Sequence, residues 1–536
     1  MRYEGAALRH LAVPLGGIGT GTIALGGEGG LRQWQIFNQI NHRAFVPGSF
    51  FALHAGSERP PRDHLRILQS REALALERPG TPLVDDDFIP DEQRGLVERF
   101  GGVERIVAET AYPFVSLAYE DRDLPVEVGL EAFSPFAAFD EETSGIPAAV
   151  FSFSVRNRSD SSVHGEIAAT LQNAVGWDGV TPIAGTRCAL YGGNVNRLER
   201  RADRLTLLFD NPSLEAGSGQ MALAALDGSA RALERWADPE DFVAFLRAQR
   251  EQSPPESPAS RVGPSPGAGP SPSGQTWNGG LAVPFRLEPG ATFSTRFVLA
   301  WHFPGRRVNW LNFGPRPRFD GADFELGNEY ANRYAGALDV VDDVQRELEP
   351  REAGARRWAG VFRDCSLPEA LTEGLAAQAA AVRAPVCFRT RDGAFYGFEG
   401  GNGASTVADG RAFGGSCPLS CTHVWNYAQG VAHLFPRLER SMRETELETV
   451  LHADGYLPHR VILPLYLPQL ERDIGGPDEP ALDGMLGCVL KVGLTNGAPC
   501  QRLVTAAQSS PTRMSSPWPC SSMPFGPTLQ KSNPCW

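Results

Sequence analysis

A chain of 536 residues is too long for one hydrophobic core and calls for two or three domains. With 42% apolar and 21% charged residues it has a globular balance, and a net charge of −13 excludes a nucleic-acid binder, which needs a basic face to displace counterions from phosphates. No run approaches the roughly eighteen apolar residues of a spanning helix, so no membrane-spanning segment is expected. The stretch from Met1 into Pro14-Leu15-Gly16-Gly17 has no apolar leader, and the cysteines before Gly493 are scattered rather than framed for disulfides. The cytoplasm is the expected compartment.

From about Gly16 to Pro304 the apolar residues recur with period two. Phe151, Phe153 and Val155 alternate with Ser152 and Ser154, and Val126 and Val128 flank Glu127. Short alternating runs bounded by Gly, Pro, Asn and Asp predict an antiparallel β-sandwich, taken here as residues 1–320. The glycines of Gly16-Gly17-Ile18-Gly19-Thr20-Gly21 lead into Thr22-Ile23-Ala24-Leu25, which reads as a strand. A dinucleotide loop would open a helix there, so tight turns explain these glycines and no cofactor is implied. Residues 252–275 are almost wholly Pro, Ser, Gly and Ala, and predict a disordered insert within the sandwich.

After about Gly321 the period changes. Tyr330, Tyr334, Leu338, Val341 and Val344 share a helical face, and Leu367–Val382 and Trp425–Leu451 also read as helices. A helical second domain over 321–492 follows. Met485, Val489, Leu490 and Val492 continue the helical spacing up to Gly493. From Gly493 to Trp536 the composition is different: no Asp or Glu, and frequent Pro and Ser. A native Ser/Pro-rich tail is one reading of 493–536; a non-native, frameshifted end is the sharper one, because the change falls in mid-helix.

Two places could carry chemistry. Glu399, in Phe395-Tyr396-Gly397-Phe398-Glu399-Gly400, is hemmed by aromatics and glycines, a setting that desolvates a carboxylate yet leaves it reachable; a plain turn carboxylate is the alternative. Cys417, Cys421 and His423 fall close together, but no second Cys/His pair supports a metal, and none is expected. His423, Trp425, Asn426 and Tyr427 at a helix start suit a sugar, whose apolar faces stack on rings while its hydroxyls meet polar groups. A buried aromatic core explains the same residues.

Several stretches together resemble glycoside hydrolase family 116, the bile-acid β-glucosidase or non-lysosomal glucosylceramidase family. They are Pro14–Ile23 with Trp34-Gln35-Ile36-Phe37-Asn38, Leu130–Phe136, Leu299-Ala300-Trp301-His302-Phe303-Pro304, Gly397-Phe398-Glu399-Gly400 and Cys421–Tyr427. The resemblance implies an N-terminal β-sandwich followed by an (α/α)6 barrel, incomplete here, and retaining hydrolysis of a β-glucoside or glycolipid. It implies Glu399 as the nucleophile, with Thr422, His423, Trp425 and Asp473 around the sugar. Arg472 replaces a His typical of the glucosylceramidase branch, and Thr422 a sugar-contacting Asp, which bears on the sugar's identity. The family's acid/base Asp finds no match before Trp536. A retaining glycosidase needs two carboxyl groups. The expectation is therefore a chain of little or no activity; a non-catalytic carbohydrate-binding remnant is the alternative.

Overall fold

The computed structural model describes residues 1–58, 61–75, 89–215, 218–248, 269–309, 323–400, 419–467, 469 and 480–494. Two large sheets dominate. The first has nine strands in the order Arg2–Glu4, Arg105–Ala111, Phe114–Glu120, Val126–Phe133, Ala148–Asn157, Thr292–His302, Gln220–Ala225, Leu205–Asp210 and Val195–Arg200. The second has six: Arg231–Trp236, Asn278–Leu287, Val163–Gln172, Phe50–Glu58, Pro61–Ser70 and Gly102–Val103. Every pairing in them is antiparallel except the last.

The period-two reading holds because one face of each sheet meets the other. Phe51 of the smaller sheet packs on Phe151 and Phe153 of the larger, with ring centroids 4.9 and 5.1 Å apart. Ile167, Leu171 and Val283 join Leu117, Leu223 and Leu299 in the same core. Each such side chain contributes about 1.5–3 kcal/mol when fully buried.

The alternation lapses in Ala148-Ala149-Val150-Phe151, where both faces are covered. Ala148 and Val150, with Ala222, Ala224, Val298 and Ala300, form an outer floor for Val340, Val341 and Val344 of the helix Ala337–Arg346. Small residues in that floor let the helix approach the sheet closely. Tyr330 and Tyr334 are buried in the same cluster, but from ahead of the helix: Tyr330 from the 3₁₀ turn Glu329–Asn332 and Tyr334 from the segment after it.

The glycine run at 16–21 is a hairpin tip between Ala12–Gly17 and Gly21–Gly26. Gly19 and Gly21 have φ of +73° and +80°, and a Cβ on Gly17 would lie 2.6 Å from backbone atoms of Gly145 and Ile146. The tip is wedged against the backbone of Gly145 and Ile146, so these glycines serve a tight turn and a close backbone approach.

The disordered insert expected over 252–275 reaches too far. Residues 252–268 lie outside the described residues, but Ser271 is buried and exchanges backbone hydrogen bonds with Gly193 and Asn194, and Gln275 bridges to Arg187. These polar contacts hold the Pro/Ser/Gly sequence without apolar burial. The expected domain boundary at 320/321 and nearly all of the tail at 493–536 fall outside the described residues.

The second half is helical, with short two-stranded additions. The helix read over 425–451 is divided into Val424–Tyr427, Gln429–Leu434, Pro436–Glu444 and a π-helical turn Thr445–Val450. The division has a local cause: Pro436 cannot donate to a preceding turn and starts a new helix, while Ala428 and Phe435 leave helical geometry. The final helix, Leu482–Leu494, runs past Val492. No helix among the described residues is long and apolar enough to cross a membrane.

Candidate active site

Glu399 follows the hairpin formed by Cys387–Arg389 and Phe395–Gly397. Gly397 anchors its end: its carbonyl accepts from Ser420 N at 2.8 Å and from the Trp425 indole at 3.0 Å. A Cβ at 397 would fall 1.9 Å from the Trp425 ring, so only glycine fits. Phe395 meets that ring edge-on at 5.9 Å. Trp425 is thus buried beneath the strand that carries Glu399.

A second crossing completes the site. Leu419 and Val461 exchange backbone hydrogen bonds of 3.1 and 2.8 Å, and Thr422 N donates to His459 O at 3.0 Å. Ser420, between them, has a φ of +51°, strain of the kind that surrounding contacts must hold in place. This places Cys421 and Thr422 against His459, with Cys421 Sγ 3.5 Å from Nε2 and Thr422 Oγ1 3.3 Å from Nδ1. The neighbouring Arg460 donates to Glu399 Oε1 at 2.7 Å, with the carboxylate side chain 21% exposed. The cluster therefore brings a partly exposed carboxylate and its countercharge together with a buried thiol, a buried hydroxyl and a buried imidazole.

Burial, then the nearby Arg460 and His423 charges, hold His459 below the usual imidazole range, so it is neutral at pH 7. Burial pushes the Cys421 thiol up to about 11, with the adjacent Glu399 acting in the same direction. Cys387 is pushed up to about 12 by burial alone. At pH 8 the thiolate fraction at Cys421 is on the order of 10⁻³. Iodoacetamide is expected to modify the exposed Cys365 at least about 10²-fold faster than Cys421 or Cys387, read by peptide mass spectrometry. Comparable rates at Cys421 and Cys365 would mean that the thiol is not enclosed beside the carboxylate.

Of the residues singled out from sequence, Glu399 follows the strand end that Trp425 braces, while Thr422 is buried with its Oγ1 against His459. His423 sits at the edge of this cluster, half exposed; its Nε2 is 2.9 Å from Tyr427 Oη and 3.4 Å from Asp483 Oδ2, and its ring lies 6.1 Å from that of His459. Cys421 and His423 face different partners and do not converge as ligands. Asp473, Arg472 and Cys417 lie outside the described residues. Sequence reasoning missed His459 and Arg460; the signal was a His-Arg pair in the otherwise apolar stretch Tyr456-Leu457-Pro458-His459-Arg460-Val461-Ile462-Leu463.

No curated protein sequence matches the chain. Among solved structures, similarity extends to a family GH92 alpha-mannosidase from Bacteroides thetaiotaomicron, at 13% identity and a TM-score of 0.31, covering 95% of this chain and 55% of that one. A protein described as a kojibiose phosphorylase from the human microbiome overlaps at 7% identity and a TM-score of 0.24, covering 55% and 30%. A polysaccharide lyase overlaps at 8% identity and a TM-score of 0.22, covering 54% and 31%. The chain thus spans between about a third and just over half of the length of each.

Residues 12–350 match the family described as beta-glucosidase 2, glycosyl-hydrolase family 116 N-term. That stretch takes in the six-stranded sheet, the nine-stranded sheet apart from its edge strand Arg2–Glu4, and the helix Ala337–Arg346, and ends before Glu399. With well over half of its length matched, this chain belongs to glycosyl-hydrolase family 116.

Proposed function

We propose that this protein is a retaining glycoside hydrolase of β-linked glucosides, with Glu399 as its nucleophile. The observation that carries the reading is the placement of Glu399: at the end of a hairpin braced by Trp425, partly exposed, and ion-paired to Arg460. Glu399 attacks the anomeric carbon as the bond to the aglycone oxygen breaks, leaving a glycosyl ester that water then hydrolyses. Arg460 supplies the countercharge that fixes the carboxylate in place. Thr422, His423 and Asp473 hold the sugar, with Trp425 supporting the nucleophile's strand, and the helices belong to an (α/α)6 barrel. In retaining enzymes a second carboxyl, about 5–5.5 Å from the nucleophile, supplies the proton to a poor leaving group; no residue of this sequence is assigned that role, so turnover is expected only for aglycones that depart unprotonated. Glycolipids share the glucosyl linkage and differ only in the aglycone.

The test is covalent. A 2-deoxy-2-fluoro-β-glucoside with a dinitrophenyl leaving group needs no protonation to depart, and its fluorine slows both formation and turnover of the ester by destabilising the oxocarbenium-like transition states. Stoichiometric labelling at Glu399, located by peptide mass spectrometry, is expected. A label on Asp473 would exchange the roles of the two carboxylates. No label on a chain that still binds glucose would leave a carbohydrate-binding module without catalysis.

A further inference from the structure

The sandwich carries a cavity of about 280 Å³ whose lining includes none of the residues clustered around Glu399. It lies where four strands of the six-stranded sheet begin or end together, at Phe50, Gln172, Trp236 and Asn278, and the helix Asp91–Phe100 covers it. Phe45, Leu96 and Phe100 complete a mainly apolar wall, in which Phe50 and Trp236 stand edge to face at 6.3 Å.

The wall's charges are already engaged. Glu92 Oε1 accepts from Gly185 N at 2.8 Å, and Arg99 Nη2 donates to Glu240 Oε1 at 2.9 Å with its guanidinium over the Phe100 ring. An anionic guest would find the Arg99 charge already paired with Glu240, and any charged guest would lose its hydration against the apolar rings. Asn278 is different. It is 2% exposed, and its Oδ1 accepts from Gln172 Nε2 at 3.2 Å, while its Nδ2 donates to no other described residue. Gly48, at φ +73°, passes so close that a Cβ there would be 2.4 Å from Asn278 Oδ1. The amide is therefore held in place with its two Nδ2 hydrogens unspent at the cavity wall, where a guest's acceptor can meet them.

We infer that this cavity binds a small neutral ring compound bearing one hydrogen-bond acceptor, which Asn278 Nδ2 would meet. A pocket of this size suits a guest of about ten to fourteen non-hydrogen atoms. A hexose is the wrong chemistry, because its several hydroxyls would face apolar rings without partners. The site is therefore separate from the glycoside cleft and does not depend on its assignment.

Coumarin, a fused aromatic lactone, is the probe, and naphthalene its counterpart without an acceptor. Titration calorimetry on the whole chain is expected to give a coumarin Kd on the order of 10⁻⁴ M, with naphthalene, measured by competition, at least about fivefold weaker. Gly95 lines the mouth on the exposed side of the covering helix, and a Cβ there meets nothing within 4 Å. Gly95→Trp is therefore sterically tolerated and expected to weaken both compounds at least about tenfold by filling the mouth. Asn278→Ala is expected to bring coumarin to the affinity of naphthalene while naphthalene still binds. No binding of coumarin to the unsubstituted chain, or unchanged binding in Gly95→Trp, overturns the inference.

Discussion

Glu399→Gln is expected to lower turnover of an activated aryl β-glucoside by at least about 10³-fold, with KM changed only a few-fold. The substitution is nearly isosteric, so the hairpin, the Trp425 brace and the space around the sugar persist. What is lost is the anionic oxygen that forms the glycosyl ester, and a carboxamide has no equivalent electron pair for that step. An activated aryl leaving group makes the comparison clean, because its departure does not wait for a proton. Arg460→Ala should behave differently. It keeps the nucleophile but removes the contact at 2.7 Å that orients it, so activity should fall less steeply and KM should move with it. Stability should change little in either variant, since the pair is partly solvent-exposed and such pairs contribute about 0–1 kcal/mol. Full activity in Glu399→Gln would remove the nucleophile assignment.

How much of this was legible in the sequence follows from the range of the forces involved. Strands such as Ala148–Asn157 declare themselves because Phe151, Phe153 and Val155 point into the gap between the sheets, and alternation is a local record of that gap. The turn at 16–21 was legible because Thr22–Leu25 reads as a strand rather than the start of a helix, and the structure has the strand Gly21–Gly26 there. Helix breaks at Ala428 and Phe435 were hidden, because apolar spacing continues across them and only Pro436 marks the change. The site was half legible. Glu399 and Thr422 stand beside aromatic and glycine signals, whereas His459 and Arg460 reach them through the crossing of 419 with 461, a contact with no local signature. Trp425 was read as a sugar platform or a core residue, and its indole is buried against Gly397.

Arg443→Met is expected to destabilise the helical half by about 3–5 kcal/mol, measured as a shift in its urea midpoint. Four ionic side chains meet there out of reach of water: Glu439, Arg443, Glu446 and Lys491, each no more than 2% exposed. Arg443 lies 3.5 Å from Glu439 and 3.0 Å from Glu446, and Lys491 comes from the final helix to 3.2 Å from Glu439. Arg443 also donates to Asn426 Oδ1 at 3.2 Å, and the Asn426 amide reaches the carbonyls of Thr422 and Gly484. The network thus joins the final helix to the chain that carries Thr422. Methionine preserves bulk but leaves two buried carboxylates with one ammonium. The sign of the pH dependence follows. Burial already raises Glu446, while Arg443 opposes that rise; without Arg443 its folded pKa climbs further above the unfolded value. Below the unfolded carboxylate pKa of about 4.3 the group is protonated in both states and the variant should lie nearest the parent. The deficit should then grow as pH rises through the folded pKa. Arg156→Met is the control, since its 3.6 Å pair with Glu127 is well exposed on both sides and should cost at most about 1 kcal/mol. Equal losses in the two variants, or a deficit that shrinks with rising pH, would show that the buried network does not hold the helices together.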